Sequence, residues 1–364
     1  TLPARQFACK QLCLIGSKPA LPHLAALLRD PATADMARYA LERMPDPEAG
    51  RALRDALDKA QDRVKVGIVN SLGERRDASV AGVLAQLVRH PQPEVAEAAI
   101  AALGKIGGPK AVAALTRAKL SASPELKPAV DYALLSCAGR FLADGEVGGA
   151  DKIYEALYQP DQSSPTQAAA LKGLAATRGE SCLDLLLSAV GGLDSIVAAA
   201  AAEALRDVPG VTATQAAAGA LSGLAPHAQV LLIHALKERG DPSALPEVVA
   251  AASSETTSVR VAALTALGVL GDASCVLPLA QATVSPEPEE TKAARKSLTQ
   301  VRGSEVNAEI LRIIASADNL MRIELTRCLA ARAATEAVHP LLDLARGPEG
   351  NLRKEAFQAL GTLG

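Results

Sequence analysis

The feature that most constrains this chain is a set of twelve leucines at nearly constant spacing along its 364 residues. Successive intervals are 29, 31, 31, 31 and 40 residues, and six intervals of 31 follow. The leucines are Leu12, Leu41, Leu72, Leu103, Leu134, Leu174, Leu205, Leu236, Leu267, Leu298, Leu329 and Leu360. A fixed period of this length indicates stacked structural repeats. We therefore expect one extended array, because each unit can bury its apolar face only against its neighbours.

Each repeat has the pattern of a helical hairpin. In residues 257–288 the first helix carries apolar residues at helical spacing, namely Val259, Ala262, Ala263, Ala266, Leu267 and Leu270. Gly271 is expected to end this helix in the left-handed conformation, and Asp272 to cap the next one. The second helix is predicted to turn Val276, Leu277, Leu279 and Ala280 inward. The pattern predicts an all-α, right-handed α-solenoid of about twelve two-helix repeats.

The composition limits the kinds of partner. Hydrophobic residues make up 49% of the chain but aromatic residues only 2%, so the core must be built from Ala, Leu and Val. The net charge of −2 and the lack of Trp argue against a nucleic-acid surface, which needs basic excess and stacking platforms. No apolar run reaches membrane-spanning length. The six cysteines form no metal-binding spacing and are expected to fill gaps between helices.

The period is interrupted once. The interval from Leu134 to Leu174 is 40 residues, and the extra length falls in a segment containing Phe141, Tyr154 and Tyr158. This segment resembles a tetratricopeptide (TPR) hairpin, and its rings either fill a wider gap or shape a local pocket or bend. We expect a single solenoid over residues 1–364, with N-terminal repeats at 1–137, the longer hairpin at 138–164 and C-terminal repeats at 165–364. The start at Thr1 and the end at Gly364, after one helix of a repeat, predict a fragment of a longer chain.

The motif VRxAAxxALGxxGD at a period of 31 resembles HEAT repeats of the short bilin-lyase-like class. The motif is closest over residues 260–272 and 353–364, and residues 96–107 also match well. The resemblance extends over essentially the whole chain. It implies the fold but leaves the function open, because one fold supports many functions. A bilin lyase-like subunit is one function that this resemblance allows.

A narrower resemblance concerns residues 36–57 and 67–87 followed by the longer hairpin. This combination is similar to a helical segment of large exported bacterial proteins that carry 3-keto-disaccharide hydrolase-type or cytochrome c modules. The resemblance implies a periplasmic or exported location, with the cytoplasm as the alternative. It also allows a second function, a helical accessory region of an exported carbohydrate-processing enzyme.

Catalytic patterns are missing from the sequence. None of the five histidines is followed by Glu, unlike the iron-binding dipeptides of HEAT-type deoxyhypusine hydroxylases. Nucleophile elbows, P-loops and dinucleotide fingerprints are also absent. His234 lies four residues before Glu238, and a helical surface pair explains this spacing better than a catalytic role. We predict no catalytic centre, cofactor or metal in this segment.

The resemblance to HEAT stacks implies that the first helix of each repeat lines a concave side. Residues one, five and nine places after the arginine of the VRxAA motif should face outward on that side. Their charge changes from mixed through acidic to basic along the chain. Ordinary solvated helix surface is one interpretation of this pattern, and an acidic-peptide site across the last three repeats is the other. The candidate partner-binding residues are Tyr39, Arg43, Tyr132, His234, Lys292, Arg295, Lys296, Arg322, Arg327 and Lys354.

These observations favour a non-catalytic scaffold or accessory module that binds a protein or peptide along its concave face. The basic residues near the carboxyl end favour an acidic partner. Nucleic acid and a membrane span are not expected. The sequence does not define the oligomeric state.

Overall fold

The computed structural model describes residues 1–60 and 62–363, and this part of the chain is all-helical, without strands. The predicted all-α class is confirmed. Helices that contain a periodic leucine alternate with helices that do not, as expected for two-helix repeats. Contacts between Cα atoms divide the chain into two compact units, Thr1–Thr177 and Arg178–Gly364. A single solenoid over residues 1–364 stays a prediction.

The helices that carry the periodic leucines are called leucine helices here. They are α1 (Leu2–Ile15), α3 (Pro31–Arg43), α5 (Asp62–Glu74), α7 (Pro93–Ile106), α9 (Lys127–Ala143), α11 (Ser164–Arg178), α13 (Ser195–Asp207), α15 (Pro226–Arg239), α17 (Thr257–Leu270), α19 (Pro288–Gln300), α21 (Asn319–Ala331) and α23 (Gly350–Leu363).

Shorter second helices lie between them. They are α2 (Leu21–Leu27), α4 (Pro47–Leu57), α6 (Ala81–Leu87), α8 (Gly108–Ser121), α10 (Val147–Leu157), α12 (Leu183–Val190), α14 (Val211–Ala220), α16 (Leu245–Ala251), α18 (Val276–Ala282), α20 (Val306–Ser316) and α22 (Val338–Arg346). One-turn 3₁₀ helices adjoin several of them, at Lys18–Ala20, Ala78–Val80, Gly179–Cys182, Leu221–Gly223, Pro242–Ala244, Ala273–Cys275 and Thr335–Ala337.

Successive leucine helices pack side by side within each unit. In the first unit the order of contact is α1, α3, α5, α7 and α9, and in the second unit it runs from α13 through every leucine helix to α23. The second helices α2 to α8 and α12 to α22 each pack against the leucine helix that follows. All periodic leucines except Leu12 and Leu360 are buried. The repeat period therefore marks the contact between neighbouring repeats.

Glycine in the Leu-Gly pair allows two leucine helices to approach closely. A Cβ atom on Gly104 of α7 would lie 2.9 Å from the Cα atom of Ala133 in α9. Gly73 and Gly268 meet Ala102 and Ser297 of the following leucine helix in the same way. Because these contacts involve backbone atoms, a side chain at the glycine position would push the helices apart. The glycine is required by the packing between repeats.

The repeat at residues 257–288 confirms one expectation and corrects two, those for Gly271 and Leu277. Asp272 accepts a hydrogen bond from the amide of Ser274 and caps the second half of its repeat, as predicted. Gly271 is extended, with φ −77°, so the prediction of a left-handed residue there was wrong. Glycine is needed at this position because a Cβ atom would clash with the carbonyl oxygen of Leu267. Leu277 is exposed, because it lies about 100° around the helix from the buried Val276.

Arg239, at the end of α15, closes the carbonyl end of the preceding leucine helix. Its Nη1 donates to the carbonyl oxygens of Leu205 at 2.6 Å and Val208 at 2.6 Å, and its Nη2 donates to that of Gly210 at 2.8 Å. Its Nε donates to the hydroxyl of Thr214 at 2.9 Å. Leu205 lies in the last turn of α13, where carbonyls have no partner within the helix, and Val208 and Gly210 lie in the turn that follows. One guanidinium therefore satisfies the end of one repeat from the next.

Arg75 and Arg332 occupy the same position, three residues after their periodic leucines. Arg75 donates to the carbonyl oxygens of Leu41 and Glu42. Arg332 donates to those of Leu298 and Val301, each at a distance of 2.8 Å. The residue after each arginine is left-handed, with φ 53° at Arg76, 68° at Gly240 and 52° at Ala333. We call these three contacts the arginine clamps.

The longer hairpin is formed by α9 and α10, with Gly145 in the turn at φ 81°. Phe141 and Tyr154 are buried, and the ring of Tyr154 lies against Gly173 of α11, where any side chain would clash. Burial raises the pKa of Tyr154. The rings thus fill the gap that the longer segment opens, and the likeness to a TPR hairpin stays a prediction.

All six cysteines are free thiols, and five of them are buried, as the sequence suggested. Burial raises the pKa of Cys137 to about 11 and that of Cys328 to about 12, so both thiols stay protonated at neutral pH. Among residues 1–60 and 62–363, no helix has both the length and the apolar character that crossing a membrane requires.

The glycine contact predicts opposite effects for two substitutions of the same kind. Gly104→Ala should lower the free energy of unfolding by about 1–3 kcal/mol, because α7 and α9 must separate. Gly361→Ala, in α23, meets no atom within 4 Å and should be neutral or stabilise by up to about 1 kcal/mol through helix propensity. Urea unfolding followed by circular dichroism measures both. Equal stability of the two variants would contradict the close-approach argument.

The arginine clamp predicts a loss of stability on truncation. Arg239→Ala should lower the free energy of unfolding by about 2–3 kcal/mol, because several carbonyls lose a charged donor. Thermal and urea unfolding provide the measurement. The control is Arg346→Ala in the same unit, whose side chain is 78% exposed and pairs with the equally exposed Asp343 at 3.7 Å. The control should unfold like the unaltered protein, and a similar loss in both variants would refute the clamp.

Candidate partner-binding groove

The outer faces of α19, α21 and α23 enclose a groove of about 500 Å³. The turn between α18 and α19 closes one side of it. Predicted cations, two glutamates and a few apolar and amide side chains line the groove. They are Thr291, Arg295, Leu320, Ile323, Glu324, Arg327, Asn351, Lys354, Glu355 and Gln358 from the three helices, with Thr283, Val284 and Ser285 at the turn.

A chain of ion pairs runs across the floor of the groove from helix to helix. Arg295 binds Glu324 through two nitrogens, with Nε to Oε2 at 2.6 Å and Nη2 to Oε1 at 2.9 Å. Arg327 then bridges two repeats, donating to Glu324 at 2.8 Å and to Glu355 at 2.8 Å. Glu324 is buried while both arginines remain half-exposed. The pairs therefore fix the guanidinium groups and leave their outer edges in contact with solvent.

The groove keeps a positive balance despite these pairs. Its three cations, Arg295, Arg327 and Lys354, face two carboxylates, which leaves one net positive charge. The hydrogen bond with Glu355 raises the pKa of Arg327, so this group stays protonated. Lys354 is exposed and forms no ion pair in the part of the chain that the structure describes. Lys354 is the cation of the groove that is free to meet a ligand.

The glutamates of the groove were not anticipated from the sequence. Glu324 and Glu355 both stand five residues before a periodic leucine, where Ala262 and Ala293 stand in the two preceding repeats. A comparison of repeats at this position signals the change, because a carboxylate replaces the first alanine of the VRxAA pattern. Leu320 and Ile323 carry no such signal, since apolar residues are common on every helix.

The other predicted cations lie outside the lining. Lys292 and Lys296 are exposed on α19, next to the groove. Arg322 is half-buried, and its Nε has no hydrogen-bond partner in the described part of the chain. Its repeat position matches Arg260, whose guanidinium holds the carbonyl of Ser254 and the carboxylate of Glu290. Arg322 thus occupies a structural position.

The remaining candidates are distributed over other helices. Tyr39 and Arg43 meet on α3, where the guanidinium carbon lies 4.9 Å from the ring centroid. Tyr132 projects from α9 with 73% of its surface exposed. His234 is exposed on α15. The partial burial that remains is the main cause that lowers its pKa, and the charge of nearby Lys237 is the second. The structure therefore places Arg295, Arg327 and Lys354 in one groove, and Tyr39 with Arg43 in another place.

A wider cleft of about 1530 Å³ lies between α2, α4 and the start of α5 and contains none of the predicted residues. Its rim carries charges of both signs, including the ion pair of Lys18 and Glu48 at 3.1 Å. Within residues 1–60 and 62–363, no cluster of three or more His, Cys, Asp or Glu residues has a geometry that could hold a metal ion.

Comparison with known proteins agrees with the fold class. Residues 51–134 match the HEAT repeat family. The stacked helical pairs of each unit have the fold of an α-solenoid. No curated protein shows significant sequence similarity to the chain.

Solved structures of karyopherins share the fold. A chain from the structure of Kap95p with RanGDP has a TM-score of 0.55 at 13% identity, over 93% of this chain and 56% of that one. Kap121p bound to the extreme C-terminus of the protein phosphatase Cdc14p gives 0.58 at 10% identity, over 94% and 45%. Kap121p bound to RanGTP gives 0.53 at 12% identity, over 100% and 53%. This chain spans about half the length of these relatives in fold.

The environment of His234 predicts a titration. Its pKa should lie below the ordinary value of 6.5, because partial burial and Lys237 disfavour the imidazolium more than Glu238 favours it. The unfolded chain then binds the proton first, so stability should fall as the pH drops below about 6.5. NMR titration of the ring measures the pKa, and His234→Gln should remove this part of the pH dependence. A pKa above 6.5 would contradict the assignment.

Proposed function

We propose that this chain is a non-catalytic protein-interaction module that binds an acidic peptide in the groove of α19, α21 and α23. The observation that carries the proposal is the groove itself, with an unpaired Lys354 beside apolar Leu320 and Ile323. Leu320 is 69% exposed and adds apolar surface beside this lysine. A peptide with a carboxylate next to an apolar side chain matches both features.

The charges around the groove support the sign of the ligand. Lys292 and Lys296 extend the positive surface along α19, and neither forms an ion pair in the described residues. Exposed lysines attract an anionic segment over roughly a Debye length, about 8 Å at physiological salt. The ion pairs of Arg295 and Arg327 hold the floor in place before a ligand arrives, so little order is lost on binding.

The comparison of folds supports the mode of binding. One of the similar structures is Kap121p bound to the extreme C-terminus of Cdc14p, so a solenoid of this fold can hold a peptide segment. The dimensions of the groove also suit a peptide, since about 500 Å³ accommodates a few residues of an extended chain. The groove would then recognise a short acidic segment within a larger protein.

The test uses the full chain and a fluorescein-labelled eight-residue peptide of alternating Glu and Leu, read by fluorescence anisotropy. The triple variant Lys292→Ala, Lys296→Ala, Lys354→Ala should bind about tenfold more weakly, since each exposed cation contributes a fraction of a kcal/mol. Raising the salt concentration should weaken binding to the unaltered protein and affect the triple variant less.

A charge-matched control separates the groove from general attraction. Lys110→Ala, Lys127→Ala, Lys152→Ala removes three exposed lysines of the first unit and should leave the affinity within about twofold. A peptide with Gln in place of Glu should bind at least about tenfold more weakly than the acidic peptide. Equal weakening by the two triple variants would show that the groove is not the binding site.

A further inference from the structure

The first two leucine helices expose large apolar side chains on one face. Phe7 and Leu14 on α1 are 65% and 77% exposed, and Met36 and Tyr39 on α3 are each 40% exposed. Lys10 and Arg43 complete the two rows. The residues occupy matching positions five before, two before and two after the periodic leucine. We call the six residues Phe7, Lys10, Leu14, Met36, Tyr39 and Arg43 the apolar stripe.

The fold does not require large residues at these positions. The matching residues are Gly67, Asn70 and Glu74 on α5, and Ala98, Ala101 and Lys105 on α7. In α21 the first two of these positions hold Glu324 and Arg327, which line the acidic-peptide groove. The stripe therefore occupies repeat positions that in α21 contribute to the acidic-peptide groove. In α1 and α3 most of these positions hold apolar residues.

The residue types are those that carry binding energy. The chain has only three Met, three Phe and four Tyr, yet one of each lies in the stripe. Tyr39 is also stacked under Arg43, at 4.9 Å from ring centroid to guanidinium carbon. Aromatic residues, Met and Arg are enriched at the centres of protein interfaces. A rigid Tyr–Arg pair loses little rotamer freedom when a partner covers it.

The spacing suits a helix as the occupant. Each row has residues at i, i+3 or i+4, and i+7, so each forms a ridge about 10 Å long on one helix face. The two helices pack side by side, which sets the two ridges next to each other. A third helix can place apolar residues at the same spacing against two such ridges. An extended peptide places its side chains alternately and cannot match this spacing.

The charges around the stripe define the flanks of that helix. α1 contains Arg5 and Lys10 but no acidic residue. On α3, the carboxylate of Asp35 is paired with Arg38 at 3.7 Å and with Arg63 of α5 at 3.6 Å, and that of Glu42 is paired with Arg38 at 3.4 Å. The charged groups left to meet a ligand are therefore cations, Lys10 and Arg43 within the stripe and Arg5 beside it. A partner with carboxylates on either side of its apolar face is complementary.

We propose that the apolar stripe is a docking site for an acidic amphipathic helix of a partner protein. The site is separate from the groove of α19, α21 and α23 and does not depend on the function proposed for that groove. The partner helix carries apolar residues at i, i+3, i+4 and i+7 and Asp or Glu on both flanks. Its apolar face covers Phe7, Leu14, Met36 and Tyr39, and its carboxylates meet Lys10 and Arg43.

The experiment uses the full chain and three fluorescein-labelled 21-residue peptides, read by fluorescence anisotropy. The first has Leu at helical heptad positions with Glu on the flanks. The second has Lys in place of Glu. The third is the first peptide with its central residue replaced by proline, which breaks the helix. The Glu-flanked peptide should bind at least about tenfold more tightly than either of the others.

Variants of exposed residues locate the site. Met36→Ser with Tyr39→Ser should weaken the Glu-flanked peptide at least about tenfold, since both residues are central anchors. Lys10→Glu with Arg43→Glu should reverse the preference, so that the Lys-flanked peptide becomes the tighter ligand. Leu120→Ser, at an 87% exposed leucine on α8, is the control and should bind like the unaltered protein. Circular dichroism checks that each variant is folded.

Several results would overturn the proposal. Equal affinity for the Glu-flanked and Lys-flanked peptides would remove the charge argument, and equal affinity for the proline peptide would remove the helical one. Equal weakening by Leu120→Ser would show that any exposed leucine suffices. Self-association in sedimentation experiments that Met36→Ser with Tyr39→Ser abolishes would assign the stripe to a second copy of this chain.

Discussion

The structure depends on one contact, the close approach of each leucine helix to the next. A two-helix repeat has too little core to bury its own apolar face. Leu103 is fully buried, and its helix packs against the leucine helices of the repeats before and after it. The approach requires small residues on both sides, and Gly104 against Ala133 shows how close the backbones come. This requirement explains the composition, because a core of Ala, Leu, Val and Gly leaves little room for aromatic residues.

The sequence predicted the features that repeat and missed those that join two repeats. The leucine period, the helical class and the capping by Asp272 follow from short-range patterns, and the structure has all three. The clamp of Arg239 could not be read from one repeat, since its carbonyl acceptors lie 29 to 34 residues earlier. Local rules also misassigned Gly271, because crowding by Leu267, not handedness, demands a glycine there.

The candidate groove shows the same division between what was predictable and what was not. Arg327 and Lys354 could be placed on one face from their repeat positions, and Arg295 was expected close by. Their pairing could not, because Glu324 and Glu355 sit where other repeats have alanine. The ion pairs give the basic residues two different roles. The arginines fix the geometry of the groove, and the lysines remain available to bind a ligand.

The arginine clamps have a consequence for how such a chain can change over generations. Wherever a clamp is present, the carbonyl end of one repeat is closed by a side chain encoded about 31 residues later, as for Val208 and Arg239. Deleting or duplicating a single repeat at that junction would leave polar backbone groups buried and unmatched. A change in repeat number at a clamped junction therefore has to keep the acceptor carbonyls and the arginine of the next repeat together.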